Sequence, residues 1–283
     1  MSAAPVATAR TSKDWRDLRK RALSAAVLGP AALAGIWLGA APWTAMIALA
    51  IAVLAWEWVH LCGLRTRTLP GAAVPLVVLA ACTFSIADEG RLALLVLFLG
   101  FVGTWVIAAR DVAPTKPPAW LAIGVLYIGL AGIALIELRH DNAAGQANVL
   151  FLFLVVWASD SGAYLAGRAF GGPRLAPAIS PGKTWSGALG GLLGAMIVGV
   201  AVASAMAPGP TGRVMAVAAL LGVATQAGDL LESAIKRHFH VKDTSSLIPG
   251  HGGLLDRLDG VLAAAPTAAL LALFVGYGVV LWQ

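Results

Sequence analysis

Nine apolar stretches, each close to the length that crosses a bilayer, constrain this chain more than any other feature of its sequence. A hydrocarbon core requires about 20 consecutive apolar residues per helix. Hydrophobic residues make up 59% of the 283 residues and charged residues only 12%, so too little polar surface remains to cover a soluble globule. The sequence therefore predicts an all-α, polytopic membrane bundle with about nine transmembrane helices. The stretches are residues 22–41, 42–63, 69–87, 91–109, 118–138, 147–168, 184–206, 212–235 and 255–282.

The basic residues are divided unequally between the segments that join these stretches. Seventeen of the 20 Lys and Arg residues fall in segments that would share one side of the membrane with the N-terminus. Only Arg91, Arg139 and Arg213 fall on the other side. Because cytoplasmic loops carry the excess of positive charge, we expect the N-terminus to face the cytoplasm from the inner membrane. The cations lie between apolar runs rather than on one solvated face, so a nucleic-acid partner is not expected.

The chain divides into a short basic tail and one membrane domain. Residues 1–21 hold six basic residues and are predicted to be a cytoplasmic tail, in which residues 10–21 form either an interfacial helix or a solvated segment. Residues 22–283 are predicted to form a single transmembrane domain. Within it, Gly187–Gly194 has GxxxG spacing, which allows two helices to approach closely. We expect this contact inside the bundle rather than at a dimer interface.

Four carboxylates stand at similar depth near the predicted cytoplasmic ends of three spans. They are Asp160, Asp229, Asp256 and Asp259. An ionisable residue inside a membrane span is costly, which makes it a candidate for function. Carboxylate oxygens suit Mg²⁺, which typically binds one or two carboxylates together with substrate phosphates. Two alternatives stay open: Asp256 and Asp259 as favourable charges at a helix N-terminus, and Glu232 as the partner of Lys236.

Two loops on the same predicted side have the composition of anion-binding segments. Ser180–Trp185 opens a helix, and its backbone N–H groups, with Lys183 and the Thr184 hydroxyl, would hold a phosphate. The second loop, Pro249–Gly253, leads into the last span, and its glycines would let the backbone come close to a ligand. Taken alone, each loop is equally well explained as a turn before a helix.

Two further polar residues lie near the predicted cytoplasmic end of the second stretch. For Glu57 and His60 we expect snorkelling, or an ion pair with Arg65 or Arg67, rather than a part in chemistry.

The segment Ser233–Asp259 resembles the motif of the phosphatidate cytidylyltransferases, also called CDP-diacylglycerol synthases. Two more stretches, Trp157–Tyr164 and Ile179–Trp185, are similar to the same family, and the resemblance covers about residues 155–262, the expected catalytic part. One minor departure is Ser159, where a small residue such as Ala is expected. Eleven fixed positions of the motif match: Ser233, Lys236, Arg237, Lys242, Asp243, His251, Gly252, Gly253, Asp256, Arg257 and Asp259.

The resemblance implies an integral membrane enzyme that joins CTP and phosphatidic acid into CDP-diacylglycerol and pyrophosphate. It also implies dependence on Mg²⁺, with a second cation left open, and packing as a homodimer. Asp229 and Asp256 correspond to the family's metal-binding aspartates. His251 either assists at a phosphate or only braces its turn. The residues expected to act in catalysis are Asp256, Asp229, Lys236, Arg237, Lys242 and His251; those expected to bind substrate are Ser180, Gly182, Lys183, Thr184, Gly252, Gly253 and Arg257; those expected to ligate metal are Asp229, Asp256, Asp160 and Asp259.

Three other functions compete with this one. A related lipid-nucleotide transferase or a polyprenol kinase would also use a nucleotide at a membrane surface. A secondary transporter would explain acidic residues inside the membrane, but it would not need two basic glycine-containing loops on one side.

Overall fold

The computed structural model describes residue 27 and residues 29–110, 117–141, 143–248, 252–276 and 278–283. Within these residues, eight helices are long and apolar enough to cross a membrane, which confirms the predicted all-α, multi-pass membrane protein. A shorter apolar helix precedes them. The helices are α1 (Gly29–Leu38), α2 (Ala40–Leu61), α3 (Leu69–Ile86), α4 (Gly90–Ala109), α5 (Pro118–His140), α6 (Gly145–Phe170), α7 (Trp185–Met206), α8 (Thr211–His238) and α9 (Leu255–Val275).

The first predicted span is only partly described. Helix α1 begins at Gly29 and ends at Leu38, and Gly39, with φ of 113°, separates it from α2. Most of residues 22–28 lie outside the described part, as does the predicted tail of residues 1–21. A ninth membrane span therefore stays a prediction.

The last span is shorter than predicted, because α9 ends at Val275 and not near residue 282. Gly276 (φ 105°) leaves the helix, and the chain then folds back against the bundle. Trp282 is fully buried there, stacks on Phe151 with ring centroids 4.4 Å apart, and donates its indole N–H to the Ala207 carbonyl at 2.8 Å. The prediction of helix to residue 282 was wrong at this end, since apolar composition alone does not distinguish a helix from a packed segment of turns.

Helix α5 is the central helix of the bundle. It contacts α2, α3, α4, α6 and α9, and 67% of its apolar window is buried. By contrast, only 22% of the corresponding windows of α4 and α7 is buried, so most of their apolar surface faces outward. An apolar helix face that the protein does not cover is what a bilayer requires.

Helices α6 and α7 pack backbone to backbone through their glycines. A Cβ on Gly191 would lie 2.8 Å from the Ser159 carbonyl oxygen, and one on Gly194 would lie 2.7 Å from that of Ala158. These contacts leave no room for a side chain. The predicted close packing of Gly187–Gly194 inside the bundle is confirmed.

A small antiparallel hairpin connects α6 to α7. Its strands are β1 (Arg174–Ala176) and β2 (Ser180–Thr184), and they form the one sheet in the described residues. Sequence reasoning read the second strand as a loop. The hairpin delivers Thr184 to the N-cap of α7, where its side chain accepts a hydrogen bond from the Gly187 N–H at 3.1 Å.

Candidate active site

A cavity of about 600 Å³ lies between α6, the hairpin, α7, α8 and α9. All four predicted aspartates line it: Asp160 from α6, Asp229 from α8, and Asp256 and Asp259 from α9. Four basic side chains line it as well: Arg168, Lys183, Lys236 and Arg257. Residues from three helices and the hairpin thus place opposite charges around one space, as a site for a polyanion and a cation would require.

Asp256 is held by a complete set of hydrogen bonds. Its side chain is almost fully buried, and its Oδ1 accepts from Lys236 Nζ at 2.8 Å. The other oxygen, Oδ2, accepts from the Thr244 N–H at 2.9 Å, the Thr244 hydroxyl at 3.0 Å and the Gly253 N–H at 2.8 Å. A carboxylate that accepts four hydrogen bonds has a fixed position. Asp256 therefore ties the segment around residue 244 to the start of α9.

Lys236 lies between two buried carboxylates. Its Nζ is 2.6 Å from Glu232 Oε2 and 2.8 Å from Asp256 Oδ1. Glu232 is fully buried, and its other oxygen, Oε1, has no hydrogen-bond partner in the described residues. The predicted pairing of Glu232 with Lys236 is confirmed. Because a buried charge requires compensation, Lys236 is fixed by its neighbours before any ligand binds.

The three remaining aspartates are less fully engaged than Asp256. Asp229 forms an ion pair with Lys183. Asp259 accepts from the N–H of its own neighbour, Gly260, at 2.8 Å. Asp160 has no hydrogen bond or ion pair within the described chain; Asp229 and Asp259 repel its charge, and Lys183 and Arg257 attract it. Like charges that share one cavity favour the binding of a cation.

The acidic residues can be compared with what a divalent cation needs. Across the described residues, no three His, Cys, Asp or Glu side chains stand close enough together to enclose an ion. Mg²⁺ needs only one or two carboxylates when phosphate oxygens complete its shell. Asp160, Asp229 and Asp259 fit this incomplete type of site, because their oxygens are largely free. Asp256 fits it less well, since its carboxylate already accepts four hydrogen bonds.

The β2 strand contributes a cation and backbone to the cavity. Gly182, Lys183 and Thr184 line it, whereas Ser180 does not. Thr184 is buried, and its hydroxyl oxygen already accepts the capping bond from Gly187. Of the side chains in this segment, Lys183 is therefore the one best placed to meet an anion.

The described end of the second predicted anion loop, Gly252 and Gly253, contacts protein and does not line the cavity. Gly252 has a φ of 84°, and a Cβ there would lie 2.7 Å from Asp256 Oδ2. A Cβ on Gly253 would lie 2.6 Å from Glu57 Oε1. The two glycines are required because these carboxylates approach the backbone so closely. His251 lies outside the described residues.

Two predicted basic residues lie away from the cavity lining. Arg237 donates from Nε to the Ile179 carbonyl at 3.3 Å, which joins the end of α8 to the hairpin. Lys242 is exposed. Neither of them lines the cavity, in contrast to Lys236 and Arg257 of the same segment.

Three polar residues of the site were missed by sequence reasoning. Tyr164 and Arg168 line the cavity from α6, and Arg168 donates to the Tyr164 hydroxyl at 3.4 Å. Both share a helix face with Asp160, since the three are four residues apart, and this spacing could have identified them. Gln226, which donates to the Ala188 carbonyl at 3.0 Å, had no comparable signal.

The fourth missed residue is Glu57, for which snorkelling or an ion pair with Arg65 or Arg67 was expected. That expectation was wrong. Glu57 is fully buried, and its oxygens accept from the Ser245 hydroxyl and from the Leu254 and Leu255 N–H groups. Nothing in the local sequence of α2 indicates a contact with residues nearly 200 positions away.

Comparison with known proteins identifies relatives along nearly the whole chain. A sequence model described as the cytidylyltransferase family matches residues 19–275. A phosphatidate cytidylyltransferase of Brucella suis biovar 1 is 40% identical over 260 residues, which cover 91% of this chain and 93% of the relative. Proteins with the same name from Haemophilus influenzae and Bacillus subtilis are 35% and 31% identical, and each alignment covers 91% of this chain and 99% of the relative.

Proposed function

The chain belongs to the cytidylyltransferase family, and from this membership we propose that it transfers a cytidylyl group from CTP to phosphatidic acid. The products are CDP-diacylglycerol and pyrophosphate. The observation that carries the proposal is the cavity that Lys183, Lys236, Arg257 and Arg168 line together with three incompletely paired aspartates. Such a space suits a triphosphate with its cation beside a lipid phosphate.

The proposed reaction is an in-line displacement at the α-phosphorus of CTP. An oxygen of the phosphatidic acid phosphate forms the new P–O bond, and the bond between the α-phosphorus and the bridging oxygen to the β-phosphorus breaks. Pyrophosphate leaves with that oxygen and its electron pair. A phosphate monoester has a second pKa of about 6, so the nucleophile is largely dianionic at neutral pH and needs no catalytic base. The main barrier is therefore repulsion between two anions.

The cationic side chains of the cavity are proposed to reduce this repulsion by neutralising phosphate charge. Lys183 and Arg257 are proposed to neutralise the triphosphate, and Lys236, which its two carboxylates hold in place, to face the reacting phosphates. Arg168 is proposed to meet the lipid phosphate. Arg237 and Lys242 are proposed to raise the positive potential around the cavity, which attracts CTP. His251 is proposed either to assist at a phosphate or to brace its turn. Gly182 and Thr184 are proposed to shape the phosphate side of the cavity through their backbone, and Ser180, which does not line the cavity, to support the hairpin through its pairing with Ala176.

Asp160, Asp229, Asp259 and Asp256 are proposed as the carboxylates of which one or two would hold Mg²⁺, with phosphate oxygens completing its shell. When bound, the cation withdraws charge from the phosphate oxygens it contacts. The ion pair between Lys183 and Asp229 is proposed to open when CTP binds, so that the ammonium group contacts the triphosphate.

The remaining features of the proposal concern location and assembly. We propose that the cavity faces the cytoplasm. The basic segments are predicted to lie on the same side of the membrane as the cavity, and CTP is a cytoplasmic substrate. Residues 155–262 are proposed as the catalytic part of a single membrane domain. A homodimer is proposed from the family resemblance alone.

The experiment that tests the proposal uses CTP labelled at either the α- or the γ-phosphorus. Purified protein in mixed micelles receives phosphatidic acid and Mg²⁺, and label in the organic phase is measured. We expect the α-label to enter the lipid and the γ-label to leave as pyrophosphate. Diacylglycerol in place of phosphatidic acid is the matched control, because it lacks the phosphate nucleophile.

The other arms separate the competing functions. Transfer of the γ-label to a free polyprenol would identify a kinase, and transfer of the α-label only to another lipid phosphate would identify a related transferase. Solute flux into proteoliposomes without any labelled lipid would favour a transporter. Absence of α-label transfer to phosphatidic acid, with folded protein, would overturn the proposal.

A further inference from the structure

Helix α9, which carries Asp256 and Asp259, lacks a cap of its own. Its N-cap residue is Leu254, which has no side chain able to accept a hydrogen bond, and no side-chain cap is formed locally. The first N–H groups of a helix have no partner within the helix, and buried groups of this kind need one. The cap must therefore come from elsewhere in the chain.

Glu57 of α2 supplies this cap. Its Oε1 accepts from the Leu254 N–H at 2.8 Å, and its Oε2 accepts from the Leu255 N–H at 2.7 Å. The side chain is fully buried and forms no ion pair with any described residue. Its negative charge is instead compensated by N–H groups at the positive end of a helix dipole.

The same carboxylate also holds the segment that wraps around Asp256. Ser245 donates its hydroxyl to Glu57 Oε1 at 2.6 Å, while the preceding residue, Thr244, donates twice to Asp256 Oδ2. On the other side, the Gly253 N–H donates to Asp256 and the next N–H, of Leu254, donates to Glu57. Asp256 and Glu57 thus accept hydrogen bonds from neighbouring residues in the same two segments, 244–245 and 253–254.

This geometry has a consequence for the cavity. The first turn of α9 sets the position of Asp256, which in turn fixes Lys236, and of Arg257 and Asp259, which line the cavity. A shift of that turn would displace all four side chains together. Misplacement of reacting groups by about 1 Å can reduce the rate about a hundredfold.

We propose that Glu57 is a positioning residue of the active site, which fixes the start of α9 through a cap donated by α2. The inference rests on the proposed function. Glu57 would then give a role in the site to the N-terminal half of the chain, whose described residues do not line the cavity.

The test compares Glu57→Gln with Glu137→Gln. Both oxygens of Glu57 accept from backbone N–H groups, so the amide NH₂ of Gln must face a donor in either orientation. Glu137 is the matched control: it accepts from the Ser85 hydroxyl at 2.7 Å through Oε1, which the remaining oxygen of Gln can replace, and it lies away from the cavity. The readouts are kcat and the KM for CTP, normalised to folded protein, together with hydrogen–deuterium exchange of the peptide that contains Leu254 and Leu255.

For Glu57→Gln we expect kcat to fall about tenfold to a hundredfold, the KM for CTP to change less than about threefold, and exchange at residues 254–255 to accelerate. Glu57→Asp keeps a carboxylate and should recover part of the kcat. Glu137→Gln should leave both kinetic constants and the exchange at residues 254–255 unchanged.

Two results would overturn the inference: a kcat of Glu57→Gln within twofold of wild type, or unchanged exchange at residues 254–255. If Glu57→Gln does not fold, Ser245→Ala removes one of the three hydrogen bonds and should show a smaller loss of kcat in the same direction; an unchanged kcat would count against the proposal. Wild-type protein that transfers no cytidylyl group would refute the proposed function instead. The exchange measurement would still show whether Glu57 caps α9.

Discussion

Replacement of Asp256 by Asn tests the central network of the site. The two side chains have nearly the same volume, so the change creates no cavity. It removes the negative charge and replaces one acceptor oxygen with an NH₂ donor. Asp256 accepts from Lys236 on one oxygen and from three donors on the other. Asn has a single acceptor oxygen. Its NH₂ must therefore face either the Lys236 ammonium group or the N–H groups of Thr244 and Gly253.

The expected cost follows from burial. The carboxylate side chain is 1% exposed and that of Lys236 is 17% exposed, so solvent screens the pair weakly. Removal of one partner from a buried ion pair costs about 3–5 kcal/mol. Glu232 still pairs with Lys236, which places the expected loss near the lower end of that range. Proteins are stable by only about 5–15 kcal/mol, so the variant should remain folded but with a clearly lower unfolding midpoint.

Two assays read the outcome. Thermal unfolding in detergent should show the lower midpoint. Cytidylyl transfer should fall at least about a hundredfold, because Lys236, which is proposed to stabilise charge on the reacting phosphates, loses the carboxylate that holds it. Asp88→Asn is the control, because Asp88 is exposed, lies away from the cavity, and has a positive φ of 62° that Asn also adopts. An unchanged midpoint in Asp256→Asn would refute the energetic argument, and near-wild-type turnover would refute the role in the site.

Three further substitutions have distinct expected outcomes. Lys183→Ala should raise the KM for CTP about tenfold in steady-state kinetics, the equivalent of about 1.4 kcal/mol. Arg213→Ala is the control and should leave this KM unchanged; a wild-type KM in Lys183→Ala would remove Lys183 from the site. Gly253→Ala places a Cβ 2.6 Å from Glu57 Oε1 and should lower stability by about 1–3 kcal/mol; thermal unfolding beside Gly212→Ala, where nothing lies within 4 Å, checks this. Trp282→Ala should cost about 3–5 kcal/mol but leave the kcat of folded protein unchanged, and a reduced kcat would contradict its purely structural role.

Several features of the site could be anticipated from local sequence. The four aspartates were expected at similar depth, and all four line one cavity. The pairing of Glu232 with Lys236 follows from their spacing of four residues, which puts them on one helix face. The depth of an aspartate follows from its position along a helix, and the contact of Glu232 with Lys236 follows from the periodicity of one helix. Both can be read from residue spacing alone.

Other features depended on partners that local sequence does not identify. Asp256 was expected to serve mainly as a metal ligand, yet its oxygens accept from Lys236, Thr244 and Gly253. Glycines 252 and 253 were expected to approach a ligand, but they make room for the carboxylates of Asp256 and Glu57. A carboxylate binds whichever donor the fold brings near, and a motif does not specify that donor.

The amino-acid sequence alone determined that this chain is a helical membrane protein and which family it resembles. The physical reason is that bilayer thickness sets the length of each apolar run, and that backbone groups in lipid must be satisfied within a helix. Only the tertiary structure decided which groups meet. The contact of Glu57 with Leu255 joins residues 198 positions apart, and the helix it caps has no local alternative. Such contacts arise from the packing of whole helices, which no single segment encodes.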